Sequence, residues 1–144
     1  MYFTVASAGM TAAGCGGGGD GGGNGSAPQG SFSFPLGVAS GDPKDTSVVF
    51  WTRCISATAD GAPVSLRLYV SNTPTFDSTV AFVDLTATAA YDFTVRAKIT
   101  ALAPDTRYYY RFVAGNDFSV AGQSKTAPAA TAANALVRFA WITC

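Results

Sequence analysis

"LAPDTRYYYRF", residues 102–112, is the stretch whose spacing says most about how this chain folds. Pro104 presets a turn and Asp105 suits it, so Leu102 leads into a corner. The run that follows alternates, with Tyr108, Tyr110 and Phe112 on one face and Tyr109, Arg111 and Val113 on the other. A tyrosine at the head of such a strand, just past a proline turn, sends its hydroxyl back to the turn's backbone. That is the tyrosine corner of β-sandwich domains. The competing reading is an exposed aromatic strip for sugar or nucleic acid. Consecutive tyrosines must split between faces, which argues against it.

Working outward, short apolar runs punctuated by turn residues cover 34–39, 47–53, 64–71, 79–88, 91–100, 107–114, 118–124 and 136–143. Strands at this spacing predict an all-β, antiparallel sandwich, immunoglobulin- or fibronectin type III-like. In "VSLRLYV", Val64, Leu66, Leu68 and Val70 point one way and Ser65, Arg67 and Tyr69 the other. In "YDFTVRAKI", Tyr91, Phe93, Val95, Ala97 and Ile99 are expected inside, with Asp92, Thr94, Arg96 and Lys98 outside. One polar face per strand implies sheets wet on one side. Trp51 is expected to be the large central core side chain.

Composition points the same way. At 144 residues the chain can bury one real core. All nine acids are Asp, so Glu, a strong helix former, is missing, while Thr, Val, Tyr and Phe abound. Nine Lys and Arg balance the nine acids, leaving no electrostatic footprint for nucleic acid or an anionic membrane. The absence of histidine excludes a Ser-His-Asp triad, a Cys-His pair or a His-bearing zinc site within these residues. No window places two Asp as an acid/base pair. No catalytic and no cofactor-binding residue is therefore assigned.

The N-terminal arm reads differently. "MYFTVASAGMTAAGC", residues 1–15, is apolar and rich in small residues, too short to span a bilayer, and similar to the later part of a signal peptide. Ala12-Ala13-Gly14-Cys15 resembles a bacterial lipobox, in which Cys15 would be lipidated and become the mature N-terminus. The glycine-rich residues 16–33 should form a disordered tether, whose sixteen-residue tract 16–31 reaches roughly 20–25 Å. No strand precedes these glycines and no helix follows, so a phosphate-binding loop is excluded. Asn24-Gly25-Ser26 matches a glycosylation sequon by coincidence.

One more stretch, "FPLGVASGDPKDTSVVFWTR", residues 34–53, sets a polar turn between two apolar runs. Gly41-Asp42-Pro43 lets the chain leave one strand and start the next, and Asp42 and Asp45 are expected to bond local backbone amides. This stretch resembles the opening of the PhoD-like alkaline phosphatase family, through Leu36 to Pro43 and Ser47 to Arg53, with Phe50 as a substitution. "DFTVRAKITALAPDTRYYYRFVAG" and "VAGQSKTAPA" resemble later strands and the outgoing linker of the same N-terminal domain. "LVRFAWITC" is similar to the strand that enters the family's phosphatase domain.

The resemblance implies a first domain over 34–128 and, over 129–144, a linker plus the first strand of a metallophosphatase domain. Both ends read as cut, as in a gene fragment. It implies an exported protein whose C-terminal partner domain hydrolyses phosphate esters with calcium and iron. Cys144 falls where the family places a metal-ligating cysteine, with Thr143 in place of the usual Ser. One thiolate holds no metal by itself, so the chain alone should be inert. Cys54 is expected to be a half-buried free thiol, with a Cys54–Cys144 disulfide as the alternative. The rival function is a stand-alone, lipid-anchored binding or adhesion module, the lipid being its sole route to a membrane. Against it stands the apolar run 136–143, which makes sense as the start of a following α/β domain.

Overall fold

The computed structural model describes the backbone of Phe3–Val5 and residues 32–133 apart from residue 59. Cys15, the glycine tract, the 136–143 run and Cys144 lie outside the described residues. The chain is all-β. Its strands are β1 (Phe3–Val5), β2 (Phe32–Ser33), β3 (Val38–Gly41), β4 (Val48–Arg53), β5 (Ile55–Ser56) and β6 (Val64–Ser71). They continue as β7 (Thr79–Ala87), β8 (Thr94–Ile99), β9 (Arg107–Ala114), β10 (Asp117–Phe118) and β11 (Gly122–Lys125).

Two sheets make the sandwich. The first runs β1-β8-β4-β3, and the second runs β10-β9-β6-β7, with β11 continuing the edge alongside β9. Apart from β1, neighbouring strands are antiparallel, from Val48↔Ile99 to Arg53↔Thr94 in one sheet and Arg67↔Val113 to Ser71↔Tyr109 in the other. β2 and β5 add a short ribbon that falls at the end of the expected tether. Phe3–Val5, inside the arm read as lying outside the fold, pairs in parallel with Ala97–Ile99 of β8.

The core follows the alternation. Val64, Leu66, Leu68 and Val70 of β6 are buried, as are Tyr108, Tyr110 and Phe112 of β9. Full burial of side chains such as Leu68 and Phe112 stabilises the fold by roughly 1.5–3 kcal/mol each. The sheets meet at Phe50 and Tyr110, whose ring centroids lie 4.6 Å apart at 49°.

Two sequence expectations need correction. Trp51 is not the central core residue, because β4 buries Val48, Phe50 and Thr52, and Trp51 has the opposite parity. It lies half-buried on the outer face, level with Ala39 and Arg96. Phe50 takes the central place instead. The strand at 91–100 also starts late, at Thr94. Ala89–Tyr91 form a short 3₁₀ turn, and Asp92 and Phe93 are both left-handed (φ 50° and 55°). Tyr91 is consequently exposed rather than buried. Arg53 holds this turn, donating to the Asp92 carboxylate at 2.8 Å and to its carbonyl at 3.0 Å.

Candidate functional site

No group of three or more metal-ligating side chains occurs among the described residues. Cys54, the described thiol, is free but fully buried rather than half-buried, since it packs into the core beyond β4. Burial, and secondarily the Asp117 carboxylate, push it up to about 11, which keeps the thiol protonated at neutral pH.

What the structure does build is a junction at one pole of the sandwich. The tyrosine corner forms as predicted: Tyr108 is buried and its hydroxyl oxygen accepts the Ala103 amide at 2.8 Å, while Leu102 is buried beside the turn. Asp105 takes φ 49°, the left-handed turn conformation that Asp tolerates. Sequence reasoning missed what lies against this corner. Thr126, 2% exposed, donates its hydroxyl to the Ala103 carbonyl at 2.7 Å and accepts the Thr106 amide at 2.9 Å. Its own amide donates to the Thr106 carbonyl at 3.0 Å.

The chain then runs on under restraint. The Asp105 amide donates to the Ala127 carbonyl, and the Ala127 amide to the Lys44 carbonyl, both at 3.0 Å. Lys44 belongs to the polar turn after β3, which Lys44 N–Ser47 O (2.8 Å) closes and Leu102 N–Thr46 O (3.0 Å) ties to the tyrosine corner. The turn therefore receives the outgoing segment through its backbone. Its acids do less than expected: among the described residues Asp45 meets only the Thr46 hydroxyl, and Asp42, at φ 47°, takes no amide. Lys125 and Asp105 add an exposed ion pair, worth little by itself.

The densest hydrogen bonding among the described residues thus fastens the segment that follows β11. Comparison with known proteins bears on this directly. The family described as "PhoD-like phosphatase, N-terminal domain" matches residues 21–128. The chain belongs to that family. It is 34% identical over 119 residues to alkaline phosphatase D of Bacillus subtilis (strain 168), covering 79% of this chain and 20% of that protein. The solved structure of PhoD matches with a TM-score of 0.65 at 35% identity, over 69% of this chain and 20% of that one. The sensor domain of the anti-sigma factor RsgI4 of Pseudobacteroides cellulosolvens shares the fold alone, with a TM-score of 0.50 at 14% identity, over 72% of this chain and all of that one. The chain thus spans about one fifth of the length of its PhoD-like relatives.

Proposed function

We propose that this chain is the N-terminal sandwich of an exported, metal-dependent alkaline phosphatase or phosphodiesterase and is inert on its own. The observation that carries the reading is its 34% identity to one fifth of alkaline phosphatase D. Calcium and iron would belong with the C-terminal partner domain, to which Cys144 would contribute a thiolate. Metal-activated water would be the nucleophile there. Lipidation of Cys15 would anchor the exported protein at a membrane. The sandwich's own work is structural: it ends in a clasped exit segment, which fixes where the catalytic domain begins.

The test compares p-nitrophenyl phosphate hydrolysis by the 144-residue chain and by the polypeptide continued through the second domain. The chain alone should match buffer, and the longer form should turn over until chelator is added. Hydrolysis by the chain alone, or a longer form that is inactive with calcium and iron supplied, would defeat the reading. Labelled palmitate in cells should enter the chain and be lost in Cys15→Ser.

A further inference from the structure

Arginine–aromatic contacts line the outer face of the second sheet. Arg67 is satisfied there: it donates to both Asp84 oxygens at 2.6 and 2.8 Å and lies 4.7 Å from the Phe82 ring centroid. Arg111, on the next strand, is not. Its guanidinium lies 4.3 Å from the Phe76 ring and 5.0 Å from the Phe118 ring, and no carboxylate among the described residues pairs with it. Its Nε is buried without an acceptor. Phe76 reaches it only from a left-handed φ of 59°, which costs a bulky L-residue roughly 1–2 kcal/mol. Nearby, Phe118 and Val120 are 59% and 67% exposed. A buried donor without an acceptor, beside uncovered apolar side chains, is the profile of a half-made interface.

The geometry points to this face as the docking surface for the domain that follows in the same polypeptide, which sets an acidic side chain against Arg111 and apolar ones on Phe118 and Val120. The inference rests on the two-domain reading above. In the relatives the matched N-terminal domain is about one fifth of the chain, so there a body larger than the sandwich accompanies it. The exit leaves along β11, the edge of this same sheet, and is fastened where it leaves. Arg111 lies five strand residues from Thr106 at the exit, roughly 17 Å. The Phe76 loop, between β6 and β7, sits at the same pole, since Ser71 pairs with Tyr109.

The test places single cysteine reporters by Phe118→Cys, Val120→Cys and, in the turn before β3 of the other sheet, Leu36→Cys, whose parent residue is equally exposed at 61%. Alkylation rates are read by peptide mass spectrometry in the chain alone and in the longer polypeptide. In the longer form, labelling at 118 and 120 should slow by about tenfold or more, position 36 should be unchanged, and Arg111→Met should restore the fast rates. If Phe118→Cys fails to fold for want of its ring on Arg111, Val120→Cys still decides. Equal rates in both forms, with the longer form an active phosphatase, overturn the docking and leave the two-domain reading standing. Slow labelling in a dimeric chain alone assigns the face to a second copy and overturns the proposal. A longer form with neither a second folded body nor phosphatase activity sinks both readings.

Discussion

Phe50 and Trp51 are neighbours in sequence and opposites in environment. Phe50 is fully buried against Tyr110, whereas Trp51 lies half-buried outside, between Ala39 and Arg96. Phe50→Ala should lose about 3–5 kcal/mol of unfolding free energy in urea, and Trp51→Ala clearly less despite the larger ring. A larger loss for Trp51→Ala would reverse the assigned parity of β4. The sequence could not settle that parity, because Val48-Val49-Phe50-Trp51 is apolar at every position and period 2 leaves no mark in it. In β6 the interleaved Ser65 and Arg67 reveal the inward face at once. The burial of Cys54 was equally hidden, since a thiol carries no pattern of its own.

At the scale of elements, the contrast is between the tyrosine corner and the Thr126 clasp. The corner is legible because Leu102, Pro104 and Tyr108 encode it within seven residues. The clasp joins Thr46, Ala103, Thr106 and Thr126, so "TAPA" read by itself looks like plain linker. Thr126→Val keeps the shape and deletes the hydroxyl, leaving the Thr106 amide without its acceptor. It should cost about 1–3 kcal/mol and speed hydrogen exchange at the Asp105 and Ala127 amides, while Thr126→Ser restores most of the loss. Unchanged exchange in Thr126→Val would mean that the backbone bonds alone hold the exit. The late start of β8 belongs at this scale too. The left-handed Asp92 and Phe93 break an alternation that ran on unbroken in the sequence.

Across the whole molecule, the sandwich and its kinship were readable early, because several weak patterns agreed: strand spacing, turn residues, the corner and the 34–53 stretch. Which faces meet other bodies was not readable, because that depends on what lies outside these residues. Global stability should carry one signature of the core. The Cys54 thiol, ordinarily near 9.0, is held up to about 11 by its burial, and Tyr110 is raised in the same direction and for the same reason. The native state thus keeps these protons longer than the unfolded chain. For Cys54 that stabilisation is complete below pH 9 and is lost as pH climbs through about 11. Across that window Cys54→Val should remove a pH-dependent component of roughly 2–3 kcal/mol, read as the difference between denaturation series for the two proteins. Parallel series would show that the thiol does not titrate with unfolding.

Phe32 and Ala127 sit at opposite poles. Phe32 is bound beside Asp117, Ser56 and Gly115, and Ala127 beside Lys44 and Asp105. Between them β9 gives a length of roughly 26 Å. β3 and β11 lie side by side and both run toward the exit pole. Tension applied at Phe32 and Ala127 therefore loads the strands lengthwise. The bonds between β11 and β9, from Gly122–Tyr110 to Lys125–Arg107, bear it together in shear and do not peel one at a time. Mechanically the body between Phe32 and Ala127 is a tie, resisting pull along the line that joins those two residues.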